Sequence, residues 1–181
     1  MPNYIALLRG INVGGHNAVA MSDLRGLFAD LGFAGATTLL QSGNIVFKVT
    51  AQPSTSLESM LEKETAKRLG VSADYIVRSA SEWAKVVAAN PFPKEAKEDP
   101  GRLIVMSLKK AAPAKNVSAL EASIKGRETV HAAGKHLYIV YPDGMGTSKF
   151  TGALIERVVG SRGTARNWNT VLKLLALSRE M

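Results

Sequence analysis

Short apolar runs and amphipathic stretches alternate along this 181-residue chain, and their order occurs twice. Tyr4–Leu8 is an unbroken apolar run closed by Arg9-Gly10, the pattern of a buried strand. Leu24, Leu27, Phe28 and Leu31 stand at i, i+3, i+4 and i+7, one face of a helix over Met21–Leu31 that Ser22 caps and Gly32 stops. Ala36–Leu40 and Asn44–Val49 have strand character and are joined by Gln41-Ser42-Gly43, a tight connection. Thr55-Ser56-Leu57-Glu58 has the form of a capping box for a helix that ends at Leu69-Gly70, and Asp74–Arg78 is a further strand. The first segment is therefore βαββαβ, the ferredoxin-like order.

Ser79-Ala80-Ser81-Glu82 is a second capping box, opening a helix with Trp83, Val86 and Val87 inward. Pro91–Gly101 is proline-rich, charged and without apolar period, the pattern of a linker. The order then returns: strand Leu103–Leu108, a helix with Pro113 at its first position and Val117, Leu120 and Ile124 on one face, a hairpin of Glu128–Ala132 and His136–Tyr141, a helix over Thr147–Val159, strand Gly163–Arg166, and a closing helix from Trp168 to Leu177. The expected fold class is α+β: two ferredoxin-like βαββαβ halves in tandem, with a connecting helix and a C-terminal helix. The expected division is 1–78, a connecting helix and linker over 79–102, and 103–181.

Composition narrows the function classes. No apolar run reaches the ~18–20 residues that a membrane-spanning helix needs. The first residues, Met1–Ile5, have neither a basic region nor a cleavable apolar stretch. Cysteine is absent, which removes disulfides, thiolate metal sites and a cysteine nucleophile. These features point to the cytoplasm. A net charge of +8 suits an anionic partner, either nucleic acid or a small phosphorylated molecule, although the lysines and arginines are scattered as on any solvated surface.

Polar residues gather in three loops. In Arg9–Asn17, Gly10 and Gly15 have the spacing of a phosphate loop, but His16 and Asn17 stand where Lys and Ser or Thr are required, so that reading fails. What remains is a glycine turn, Gly14-Gly15, flanked by Arg9, Asn12 and His16, a candidate anion-binding loop. Gln41-Ser42-Gly43-Asn44 makes a good turn, and also falls where its side chains could meet a ligand at one end of the sheet. Gly163–Asn169 leads into the last helix; Asn167 or Asn169 can cap it, while Arg166 beside a helix start favours an anion and Trp168 either stacks on a base or plugs the core. Ser148 and Lys149, within Gly146-Thr147-Ser148-Lys149, combine a hydroxyl and a cation at a second helix start.

None of the three loops contains Asp or Glu, which argues against a magnesium-dependent phosphoryl transferase or a two-carboxylate hydrolase. His16, His131 and His136 lack zinc-ligand spacing, and the latter two are expected at the surface of their hairpin. Ser42, Ser148 and Thr164 have no evident base. No metal is indicated, and the residues name no cofactor, which stays unknown.

Taken together, Tyr4–Gly15, Gln41–Asn44 and Arg166–Val171 resemble the DUF1697 family, bacterial proteins of unknown function. Ala18 and Ala20 depart from that resemblance, standing where a lysine and a proline are common. The resemblance implies an α+β fold of repeated β-α-β units and no activity. Arg9, Asn12, Gln41, Ser42, Asn44, Arg166, Asn167 and Asn169 match its signature. The leading expectation is a pocket for a small anion, such as a nucleotide or phosphorylated metabolite, built from Arg9, Asn12, Gly14, Gly15, Gln41, Ser42, Asn44, Ser148, Lys149, Arg166, Asn167, Trp168 and Asn169. The alternatives are a nucleic-acid-binding module, for which Asn44–Val49 lacks the glycine-aromatic pattern of the RNA-binding ferredoxin-like class, and a structural or subunit-interface role for the polar loops.

Overall fold

The computed structural model describes residues 1–181 as two compact units, Met1–Lys85 with Lys173–Met181, and Val86–Leu172. Each contains one four-stranded antiparallel sheet. In the first, β1 (Asn3–Arg9), α1 (Met21–Asp30), β2 (Ala34–Leu39), β3 (Asn44–Lys48), α2 (Ser54–Leu69) and β4 (Asp74–Ser79) give the strand order β2-β3-β1-β4. In chain order α3 (Ala80–Ala88) and α4 (Pro93–Glu98) follow, and then the second sheet: β5 (Leu103–Leu108), α5 (Ala114–Ala122), β6 (Thr129–Ala133), β7 (His136–Val140), α6 (Gly152–Val159) and β8 (Gly163–Asn167), in the order β6-β7-β5-β8. The two orders are the same, so both halves are ferredoxin-like. The last helix, α7, runs Trp168–Glu180. No helix is long and apolar enough to cross a membrane.

The sheets follow from their sequences. β1 is central, paired with β3 (Ile5 opposite Val46) and β4 (Ala6 opposite Val77), and Tyr4–Leu8 is buried throughout, which is why it has no polar alternation. One face of the sheet packs Tyr4, Ala6 and Leu8 against Leu24, Phe28, Leu57 and Leu61 of the helices. Phe47 sits at the middle of this core, 5.0 Å from Phe28 edge-on and 5.2 Å from Phe33 in a stack. In the second unit Ile104, Met106, Leu137 and Ile139 pack on Leu120, Phe150, Ile155 and Val159.

β4 and β8 are edge strands, and carboxylates accept from the outward N–H groups of β4 and from one N–H of β8. Tyr75 N–H donates to Glu62 Oε1 at 2.9 Å, Val77 N–H to Glu58 Oε1 at 2.9 Å and Ser79 N–H to Glu82 Oε2 at 2.7 Å. Glu58 and Glu62 are one helical turn apart, so α2 presents both to alternate residues of β4. In the second unit Glu156 of α6 accepts from Gly163 N–H of β8 at 3.2 Å.

Several local expectations change. α2 starts at Ser54 after Pro53 with no side-chain cap, because Glu58 turns to β4 instead of closing a box with Thr55. Ser22 does not cap α1: Ala20 holds that position through its carbonyl, which accepts from Leu24 N–H. Pro113 likewise precedes α5 rather than opening it. The segment expected as a linker contains α4, started by Pro93, and a 3₁₀ turn over Pro100–Arg102. With no buried residue, α4 leaves no apolar period in the sequence. The helix expected from Thr147 begins at Gly152, where the Thr151 hydroxyl accepts from Leu154 N–H. His136 is buried rather than exposed, since β7 is covered along its whole length. The box at Ser79–Glu82 forms in both directions, Glu82 N–H donating back to Ser79 Oγ at 3.2 Å.

Candidate functional site

The first two polar loops meet in the first unit. Val13 and His16 close a two-residue turn, His16 N–H donating to Val13 O at 3.0 Å, and Gly14 and Gly15 both take positive φ there, +58° and +75°. A turn with two successive positive φ values is the reason for two glycines. Below it Asn12 N–H donates to Asn17 O, so residues 12–17 form a miniature hairpin.

Asn12 ties this hairpin down. Its Nδ2 donates to Val19 O at 3.1 Å and to Gln41 O at 2.9 Å, while its Oδ1 accepts from Val19 N–H at 2.8 Å. Asn17 Nδ2 donates to Gly10 O at 2.9 Å. Asn44, fully buried, donates to Leu39 O at 2.7 Å and to Ser42 Oγ at 3.0 Å, spanning its own turn. Gly43 packs against β1, with Leu8 N–H donating to its carbonyl at 2.8 Å. A Cβ on Gly43 would stand 2.7 Å from Ile11 Cδ1 and 2.8 Å from Leu8 Cβ. Arg9 is ion-paired with Asp74 at 3.1 Å. The side-chain amides of Asn12, Asn17 and Asn44 are thus engaged with neighbouring main-chain carbonyls and, for Asn44, with the Ser42 hydroxyl as well.

In the second unit Arg166 is buried, with Nη1 donating to Thr164 Oγ1 at 2.8 Å and Ala165 O at 2.9 Å. Burial pushes its guanidinium down to about 10. Asn167 Oδ1 accepts from Thr170 N–H at 3.0 Å, capping α7, and Trp168 is a core residue at 5% exposure. Asn169 is exposed.

Ser148 and Lys149 lie elsewhere in the second unit, on a pocket of about 510 Å³ lined by Lys125, Gly126, Glu128, Asp143, Phe150 and Leu154 in addition. None of Gly163–Asn169 lines it. Its lining mixes apolar Phe150 and Leu154 with charged Lys125, Glu128, Asp143 and Lys149, and its volume falls in the range of small-molecule sites. The Ser148 hydroxyl donates to Glu128 Oε1 and accepts from Phe150 N–H at 3.0 Å, so its one proton is already engaged. Asp143 is held by exposed Arg127 in a two-point contact, which keeps its carboxyl below the usual carboxylate range. Lys125 and Lys149 are exposed and enter no ion pair. Glu128 Oε2 is buried without a hydrogen-bond partner.

Lys125, Gly126 and Glu128, from the connection of α5 to β6, were not among the residues picked out by sequence. The short run Lys125-Gly126-Arg127-Glu128 carried a charge signal, but only the fold brings it to Ser148. No group of three or more His, Asp or Glu side chains has the arrangement of a metal site.

A family model described as a protein of unknown function (DUF1697) matches residues 1–138. No curated protein matches the chain. Among solved structures the chain is similar to SP0830, a conserved bacterial protein from Streptococcus pneumoniae, with 21% identity, a TM-score of 0.75 and 98% of each chain covered. At that identity the likeness shows the fold alone.

Proposed function

The chain belongs to the DUF1697 family, and from that premise we propose that it binds a small anionic molecule in the pocket of Lys125 and Lys149. One observation carries this reading. Of the cations near the candidate loops, Arg9 is ion-paired and Arg166 buried, whereas Lys125 and Lys149 face a pocket with no carboxylate bound to either. Two unpaired ammonium groups at one pocket raise the local potential and favour a phosphate or carboxylate group there. Phe150 and Leu154 give the ligand's carbon skeleton an apolar wall.

The test is calorimetric titration of the full chain with inorganic phosphate and with a nucleoside monophosphate at low salt. Binding should weaken by about fivefold in each of Lys125→Ala and Lys149→Ala, the ~1 kcal/mol of an exposed charge pair, and should weaken further as salt rises. Binding that both variants leave unchanged, or no binding to any of these anions, refutes the proposal.

A second reading concerns the amide-rich loops. Because the donors of Asn12, Asn17 and Asn44 all reach main-chain carbonyls or a neighbouring hydroxyl, the structural role is favoured for Arg9–Asn17 and Gln41–Asn44 over direct ligand contact.

A further inference from the structure

The four outer strands of the two sheets are not alike. Glutamates accept from outward N–H groups of β4 and from one of β8, and β2 carries a register shift. β6 has neither device. It pairs with β7 without a break, Thr129 opposite Val140 through Ala133 opposite His136, and residues 129–133 make no hydrogen bond beyond that ladder. The turn between the strands holds two residues, Gly134 and Lys135, which makes Ala133 and His136 a mutually bonded pair. Such pairs alternate along an antiparallel ladder, so Thr129 and His131 also bond to β7, while Val130 and Ala132 turn their N–H and C=O groups outward. The side chains of Val130 and Ala132 pack on the core of the second unit, which fixes the line of those outward groups. Thr129 and His131, between and beside them, are exposed, so solvent reaches the strand.

We propose that β6 binds an extended acidic peptide of a partner protein by strand addition. The added strand meets the N–H and C=O groups of Val130 and Ala132, so main-chain bonds give affinity and the flanking side chains give specificity. Charge chooses the partner. From Lys125 to Lys135 three cations stand against one acid, Glu128. Arg127 is held by Asp143 and Glu128 by Ser148. Lys125 and Lys135 are exposed, enter no ion pair, and flank β6 at its two ends. Acidic side chains at the two ends of the added strand answer them. A second copy of the chain suits this strand poorly. Laid antiparallel with Val130 of each against Ala132 of the other, it sets Arg127 opposite Lys135 at both ends. Like charges directly opposite destabilise a strand pair. The proposal shares Lys125 with the anion pocket and otherwise stands apart from it.

The experiment is calorimetric titration of the full wild-type chain at low salt with four capped peptides. One is Glu-Val-Thr-Val-Thr-Glu, and one has lysine at both ends instead. Two more are the glutamate peptide N-methylated on one or the other alternate set of residues, which keeps its charge and removes one edge. The glutamate peptide should bind about tenfold tighter than the lysine peptide, and one N-methylated form should lose about tenfold while the other binds as before. Saturating glutamate peptide should slow amide exchange at Val130 and Ala132, whose N–H groups are otherwise open, and leave His131 and Ala133 unchanged. Lys135→Glu should cut the preference for glutamate over lysine by about threefold. Equal binding of the glutamate and lysine peptides overturns the acidic partner. Binding that neither N-methylation weakens overturns strand addition and leaves charge attraction alone. Binding without slowed exchange at Val130 and Ala132 overturns the assignment to β6. A concentration-dependent dimer that protects these two amides, seen by sedimentation without peptide, overturns the choice of partner in favour of a second copy. No binding of any peptide at about 1 mM overturns the proposal as a whole.

Discussion

Replacing Gly43 by alanine tests how the second polar loop is built. Two independent costs meet at this position. Its φ of +81° lies in the left-handed region, where a side chain costs about 1–2 kcal/mol. A new Cβ would also stand 2.7 Å from Ile11 Cδ1 and 2.8 Å from Leu8 Cβ, and both residues are core. Leu8 Cβ is fixed to a central strand and cannot swing aside, so the clash adds the ~1–3 kcal/mol typical of overpacking. The sum is about 2–5 kcal/mol. Gly10 provides the control: its φ is also +81°, yet nothing lies within 4 Å of the added Cβ. Gly10→Ala should therefore show the conformational cost alone. Urea unfolding followed by far-ultraviolet circular dichroism measures both, with unchanged m-values as the check that the same transition is compared. If the two variants lose equal stability, the tight packing of Gly43 on Leu8 and Ile11 is wrong.

Two further outcomes follow from described contacts. Asn12→Asp keeps the acceptor for Val19 N–H but loses both Nδ2 donors and sets a carboxylate against two carbonyls, so it should destabilise the chain by about 1–3 kcal/mol and raise proteolysis within residues 10–17, measured by limited digestion; an unaffected loop would remove its structural role. Tyr75 and Tyr141 are pushed up to about 12, chiefly by burial, so ultraviolet titration of the folded chain should show both phenols neutral at pH 11, where unfolded tyrosine has ionised. With folded values above the unfolded value of 10, their contribution to stability is complete below pH 10 and is lost as pH rises towards 12; phenols that ionise near 10 without unfolding refute the burial of these rings.

The strand order was legible because it depends on local signals repeated twice: apolar runs too short for helices, then period-3.6 stretches with stops. The Ser79–Glu82 box was legible for the same reason, since both partners lie within one turn. Thr55–Glu58 has the same spelling and a different outcome, because Glu58 has a better acceptor role on Val77, 19 residues away, than on its own helix. That competition is tertiary and leaves no trace in a four-residue pattern. His136 was misplaced because alternation cannot reveal which strands are covered on both sides. For the site, Ser148 and Lys149 stood out as a hydroxyl and a cation at an apparent helix start. The helix begins later, and what makes them a pocket is Glu128, 20 residues earlier. The amide cluster stood out too, but composition could not distinguish asparagines that point at a ligand from asparagines that fasten two loops.

The glutamates along β4 have a consequence for how copies of this protein behave in company. An uncovered strand margin is a template on which another chain can lay a strand and begin a growing ribbon. On β4 the positions such an intruder would need, the N–H groups of Tyr75, Val77 and Ser79, already have acceptors, and each acceptor belongs to a side chain that would have to be expelled. The other margin of that sheet, β2, carries a register shift between Ala34 and Thr37, and so offers a poor match to a straight partner. An intruding strand therefore meets occupied N–H groups at Tyr75, Val77 and Ser79 on one margin of the first sheet and an irregular strand on the other.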